Sequence, residues 1–176
     1  MINGGSSSSG QIIFMDAGTN RARIGVPTGT TTLSLSGSNT LTGDIVIDVD
    51  GRVTMPTQPS FKANRNGSNQ TSGTVVFNIT SHNIGNHYST STGRFTAPVS
   101  GRYLFSLVAM AQTDYFRGQI FVNSSGITQF RTDHDGAQDM NYMQATITVI
   151  YNLAANDYVF MQVDAGTVGG NTAEMQ

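Results

Sequence analysis

The chain has 176 residues and a formal net charge of −2, and its cationic side chains are one lysine and eight arginines. So few cations cannot neutralise a run of phosphates, which excludes nucleic acid as a partner. The lack of cysteine excludes disulfides, thiolate nucleophiles and zinc–thiolate sites. Because Ser, Thr, Asn and Gln supply 63 residues and helix formers are scarce, a mainly helical protein is also excluded.

Residues 1–10 are rich in glycine and serine, a composition typical of a flexible linker. Residues 11–57 form a second zone, in which short apolar bursts recur about every 8–12 residues, as in short strands joined by tight turns. Each burst is too small to build a core in a monomer. We therefore expect a β-rich shaft of strands shared around a threefold axis; a disordered leader is the alternative. The bursts are residues 12–14, 22–26, 33–35, 45–47 and 52–55.

Pro56 and Pro59 separate this zone from a head domain over residues 58–176, since prolines this close hold an extended linker. Period-two alternation is cleanest over residues 143–153. The longest apolar run, residues 107–111, is far short of the roughly 20 residues that span a bilayer, so no membrane insertion is expected. At least seven strands without helical periodicity predict an all-β antiparallel sandwich. The predicted strands are residues 74–79, 94–99, 102–112, 116–122, 127–131, 143–153 and 158–163.

Seven spaced positions in the head form a specific pattern. They are Phe77, Asn83, Tyr88, Phe95, Gly101, Tyr103 and Phe105. The pattern resembles the signature of the complement C1q globular head, a jelly roll shared with the tumour-necrosis-factor superfamily, over about residues 61–165. An eighth position, usually aromatic, holds Leu107. The aromatic members fit inward strand positions and the glycine fits a turn, so none of the seven is expected to be catalytic.

The resemblance implies a ten-stranded jelly roll, a tight parallel homotrimer with two further copies of the chain, and ligand recognition through loops and outer faces without enzymatic activity. It also implies calcium in some members. The string over residues 50–61 further resembles junctions in bacteriophage tail fibres. We therefore expect a receptor-binding fibre tip on a virion, attached to upstream fibre or baseplate proteins and recognising a host-surface glycan or protein. A connector without receptor binding and a polysaccharide-depolymerising hydrolase are the alternatives.

The segment 166–176 has no apolar run after Val168, whereas the family closes with a further strand. Because an unpaired sheet edge is costly, we expect this segment to be poorly packed and the native chain to continue beyond Gln176.

The acidic cluster of Asp133, Asp135 and Asp139 could supply oxygen ligands to calcium, although a solvated hairpin loop is the alternative. No other cofactor is expected.

Aromatic and charged side chains also adjoin a strand junction at Asp114, Tyr115 and Arg117. Exposed aromatic and arginine side chains are typical of recognition surfaces, so we predict ligand binding there, with His134 as a further member. The alternative is that Phe116 belongs to the core and Tyr115 is only its neighbour. No catalytic residue is predicted, since no nucleophile elbow or paired carboxylate occurs.

Overall fold

The computed structural model describes residues 10–38, 40, 43–113, 115–133, 143–170 and 173–176. Every regular element in this part is a β-strand, and no helix there could cross a membrane. The predicted linker over residues 1–10 lies outside the described residues except for Gly10. The chain divides into two compact units, Met1–Gln58 and Pro59–Gln176.

The N-terminal unit contains one antiparallel sheet whose strands follow chain order. Each predicted apolar burst contributes a strand. Ala17 and Gly18 join the first two strands, and both have positive φ values of 47° and 77°. Such a turn matches the right-handed twist of a hairpin. The strands are β1 (Gly10–Asp16), β2 (Thr19–Val26), β3 (Leu33–Ser36), β4 (Ile45–Ile47) and β5 (Val53–Thr54).

The C-terminal unit is a sandwich of two sheets. Its strands are β6 (Ser60–Asn64), β7 (Gly73–Thr74), β8 (Ile79–Ile84), β9 (Tyr88–Ser89), β10 (Arg94–Thr96), β11 (Gly101–Ala111), β12 (Tyr115–Val122), β13 (Ser125–Asp133), β14 (Met143–Leu153), β15 (Tyr158–Ala165) and β16 (Glu174–Met175). One sheet has the order β14-β11-β16-β6-β8. The other has the order β13-β12-β15-β10-β9, with β7 also paired to β15. The predicted all-β jelly roll is confirmed.

Alternation along the long strands places one residue in two inside the sandwich. In β12 every second residue from Phe116 to Val122 is buried, and the intervening side chains face outward. The predicted strand over residues 143–153 is β14, with the same bounds. Since each sheet has one face in the core and one face outside, the outward residues are those available for function.

The predicted strand over residues 74–79 is only partly formed. At Phe77 the side chain of Tyr88, rather than a neighbouring strand, takes the backbone hydrogen bonds. Tyr88 accepts a hydrogen bond from the Phe77 N–H and donates one to the Phe77 C=O, each 3.1 Å long. Both backbone groups are thereby satisfied without a neighbouring strand. The burial of Tyr88 raises the pKa of its hydroxyl, although the bond to Phe77 opposes the shift.

The signature residues meet in one aromatic cluster between the sheets. The Phe95 ring lies 5.2 Å from Phe61 and 5.5 Å from both Tyr103 and Phe105, measured between centroids. The Asn83 side chain accepts a hydrogen bond from the Tyr88 N–H and donates one to the Tyr88 C=O. Phe77, Tyr88, Phe95 and Phe105 are buried, as predicted for core residues, and Gly101 begins β11.

The expectation of a poorly packed segment over residues 166–176 is wrong for its described residues. Val168 bridges to Gln70 and Ala111, and β16 lies between β11 and β6. The side chains of Val168 and Met175 are fully buried. The buried residues of this segment are single and separated by small or polar residues. The sequence therefore has no apolar run to indicate the final strand β16.

Replacement of Met175 tests whether this short strand stabilises the sandwich. Met175→Ala should lower the free energy of unfolding by about 2–5 kcal/mol, because it empties a fully enclosed site. The matched substitution Met55→Ala, at a residue 48% exposed, should change it by less than about 0.5 kcal/mol. Denaturant unfolding of both variants makes the comparison, and equal effects would contradict the assignment of Met175 to the core.

Candidate functional site

The outward face of the β13-β12-β15-β10-β9 sheet contains the predicted ligand-binding residues that the structure describes. Tyr115 and Arg117 are alternate residues of β12, and both are half-buried. The register pairs Tyr115 with Asp133 at the end of β13. In the sequence these residues belong to two separate clusters, one predicted to bind ligand and one predicted to bind metal, but the hairpin brings Tyr115 and Asp133 together.

The predicted metal cluster and the predicted ligand site are each described only in part. Asp114, His134, Asp135 and Asp139 lie outside the described residues. Among the residues that the structure does describe, no group of three His, Asp or Glu side chains is placed to hold a metal. Asp133 is exposed and has no ion-pair partner in the described part, so its carboxylate fits the role of one oxygen ligand. Calcium binding therefore stays a prediction.

Arg117 has an unusual electrostatic environment. It pairs across the strands with Arg131, so two positive charges are opposed on one face. Asp164 Oδ2 lies 3.6 Å from the Arg117 Nε atom, and Nε is buried without a hydrogen-bond partner among the described residues. The carboxylate thus balances Arg117 by charge rather than by a short hydrogen bond, and Arg131 stays exposed beside it.

The same outward face has an aromatic ladder that sequence reasoning missed. The rings of Phe121 and Phe160 are stacked with centroids 5.2 Å apart, and Tyr158 lies 6.0 Å from Phe160. The guanidinium carbon of Arg94 lies 4.2 Å from the centre of the Tyr158 ring and 5.5 Å from that of Phe160. Alternate aromatics at positions 158 and 160 were the available signal, since period two places them on one face.

The outward face of the other sheet is chemically different. Leu104 and Ile150 are cross-strand partners on β11 and β14, and they are 62% and 66% exposed. A depression of about 540 Å³ beside them is lined by Arg102, Ile150, Tyr151 and Asn152. The Lys62 Nζ and Glu174 Oε1 atoms form an ion pair 3.1 Å long between β6 and β16. This face combines exposed apolar side chains with a charge pair that is already internally neutralised.

The chain was compared with protein families and known proteins. The model of the C1q domain matches residues 60–175. Complement C1q tumor necrosis factor-related protein 3 from Homo sapiens, like the Mus musculus protein, is 33% identical over 107 residues, which are 59% of this chain and 42% of the relative. This chain therefore spans less than half the length of these curated relatives.

Solved structures show the same fold at low sequence identity. The globular domain of zebrafish complement 1qA protein matches with a TM-score of 0.57 and 19% identity, covering 67% of this chain and 94% of that one. The Eiger TNF structure from S. frugiperda matches with a TM-score of 0.52 and 10% identity, covering 67% and 91%. At such identities the likeness concerns the fold.

The comparisons overturn the expected biological setting. The prediction of a bacteriophage tail fibre is wrong, because the relatives are complement- and tumour-necrosis-factor-related proteins of animals. The fibre-tip, connector and depolymerase hypotheses, the virion location, and the fibre, baseplate and host-glycan partners depended on that setting. The error arose from residues 50–61, because the resemblance of this short segment to fibre junctions was interpreted as evidence for a protein family.

The stacked arginine of the aromatic ladder gives a measurable expectation. Arg94→Ala should lower the free energy of unfolding by about 0.5–1 kcal/mol, the usual size of an exposed cation–π contact, and should uncover the nearly buried Phe160 ring. Thr96→Ala is the matched control, since Thr96 is exposed on the same side of β10 as Arg94 and has no ring contact among the described residues. Equal unfolding free energies for the two variants would show that the stacking has no net effect.

Proposed function

This chain belongs to the C1q domain family, and we propose that residues 59–176 form the homotrimeric, non-enzymatic binding head of an extracellular protein. The relatives bear the names of complement- and tumour-necrosis-factor-related proteins, and none of those names denotes an enzyme. The observation that carries the proposal is the contrast between the two outward faces. One is suited to self-association, and the other is rich in arginine and aromatic side chains.

Self-association is assigned to the face of β11 and β14. Leu104 and Ile150 are adjacent and more than half exposed, whereas Val108 and Met110 are half-buried on the same outward side. Full burial of a Leu or Ile side chain stabilises by about 1.5–3 kcal/mol, and three chains would bury three such pairs. Since Lys62 and Glu174 already neutralise each other, the face can be desolvated without leaving an unpaired charge at that position.

Ligand recognition is assigned to the outward face of the opposite sheet, at the end where Tyr115 pairs with Asp133. Tyrosine and arginine are enriched in the cores of protein interfaces. Arg117, Arg131 and Asp164 provide charges of both signs beside Tyr115, which favours a protein ligand over a purely anionic one. Three copies of the site in one trimer would add avidity to weak single contacts. A calcium ion at Asp133 would supply a further positive charge at this end of the hairpin.

The oligomeric state tests the assembly. Light scattering of the intact chain should give three times its 18.7 kDa mass. Leu104→Asp should shift the mass to that of one chain, because three carboxylates would meet in an apolar contact. Val99→Asp is the matched control, since Val99 is also an exposed apolar residue, at 61% against 62% for Leu104. It should leave the trimer intact. A monomeric wild-type chain would contradict the proposal.

Chelation tests the predicted calcium site. The melting temperature of the intact chain should be higher in millimolar calcium than in excess chelator, because an ion that binds only the folded state at ~100 times its Kd adds ~2.7 kcal/mol. Asp133→Asn should reduce this difference, whereas Asp16→Asn, at an exposed acid of the N-terminal unit, should not. Superimposable melting curves of the wild type in the two buffers would leave the acidic cluster without a metal.

A further inference from the structure

One face of the N-terminal sheet is apolar across all five strands. Cross-strand pairing places Ile12, Ile24, Leu35 and Ile45 in a single row over β1 to β4. Flanking rows on the same face are equally apolar, and none of these rows contains a charged residue. The full set is Ile12, Phe14, Ala22, Ile24, Val26, Leu33, Leu35, Ile45, Ile47 and Val53.

The turns of this unit that the structure describes do not cover this face. Ile12, Phe14 and Val53 are 47%, 51% and 63% exposed. Two shallow depressions, of about 290 and 260 Å³, lie along the face, and Ile24 lines both, while Arg23 and Asp44 also line the first.

Gly43, between β3 and β4, lies over the opposite face instead. Its N–H donates a hydrogen bond of 2.8 Å to Ser36 Oγ there, and Ser34 and Ser36 are buried. Arg23 and Gln11 are also on that side, joined by a hydrogen bond of 2.7 Å. In the described part of the unit the sheet is therefore two-sided, with a polar face partly covered by its own chain and an apolar face left open.

A single-layer sheet requires a second layer against its apolar face. At about 4.8 Å between strands and 3.3 Å per residue, five strands of about five residues present roughly 400 Å² of flat area per chain. Three such faces total about 1,200 Å², or about 400 Å² for each of the three contacts in a trimer, which is below the ~1,000 Å² expected of an independent specific interface, so the contact needs the association of the heads. A mainly apolar face of this kind fits a partner that is equally apolar, and another copy of itself meets that requirement.

The linker favours the same occupant. Only residues 55–59 separate β5 from β6, and five residues reach at most roughly 18 Å. If three heads associate, their N-terminal sheets are held at high effective concentration, which strengthens a contact too weak to form between free chains.

We infer that the apolar face of the N-terminal sheet packs against the same face of two further copies of this chain, around a shared axis. The inference rests on the proposed homotrimer but concerns residues 10–54, which lie outside the matched C1q domain. It assigns the three sheets a common apolar core, in which Ile24 is central, and places the polar face with Gln11 and Arg23 toward solvent. The unit then stabilises the trimer as well as preceding the head.

Single cysteines in the intact chain test this arrangement, because the natural sequence has none. Ile12→Cys puts a thiol on the apolar face, and Ile13→Cys is its matched control on the polar face, opposite Arg23. In the isolated chain Ile12 is the more exposed of the two, at 47% against 39%. Assembly should reverse that order. We expect maleimide to label Ile12→Cys at least about tenfold more slowly than Ile13→Cys, and mild oxidation to form disulfide-linked dimers only for Ile12→Cys.

The outcomes separate this inference from the proposed function. A monomeric intact chain would overturn both. A trimer in which the two thiols react equally fast would overturn only the inference, and so would protection of Ile12→Cys that persists when Leu104→Asp dissociates the trimer, since another partner would then cover the face. Phe14→Cys repeats the measurement at a second position on the same face. Labelling of all three variants in denaturant should be equally fast.

Discussion

The packing of one aromatic ring joins the two sheets of the C-terminal unit. Phe95 belongs to the short strand β10, and it contacts Phe61, Tyr103 and Phe105 of the opposite sheet. Its burial holds together a strand of only three residues, whose backbone pairing alone would be weak. The hydrogen bonds of Tyr88 to Phe77 depend on the same packing, since the Tyr88 ring stacks on Phe61 at 4.7 Å.

Because the core between the two sheets is filled within one chain, the outward-facing side chains of the two sheets can differ in chemistry. In β11, β12 and β14 every second residue faces the core. The residues between them face outward and contribute little to the fold of a single chain. On one sheet those residues include Leu104 and Ile150, and on the other they include Arg117 and Phe121. The two outer faces of the sandwich point in opposite directions, so the proposed assembly and recognition surfaces do not overlap.

The N-terminal unit consists of one sheet without a second sheet to cover its apolar face in the described part of the unit. Its sheet has an apolar row through Ile12 and Ile24 but no second layer within the described part of the unit. The C-terminal unit buries its apolar residues within one chain, whereas this sheet exposes them. The proposed trimer would serve the two units differently, since it would multiply the binding sites of the head and bury the apolar face of the sheet.

The sequence by itself determined the fold class, most of the long strands and the core role of Phe95, Tyr103 and Phe105, because alternation and spacing are local properties that one chain displays directly. Only the tertiary structure decided which predicted residues meet. Strand register pairs Tyr115 with Asp133, places Arg94 on the Tyr158 ring, and inserts Glu174–Met175 between β11 and β6. These arrangements depend on contacts between residues far apart in the chain. A strand of two residues is also too short to show a periodic pattern in the sequence. The biological setting was likewise beyond the reach of local patterns, since the junction string at residues 50–61 is too short to distinguish one β-rich protein from another.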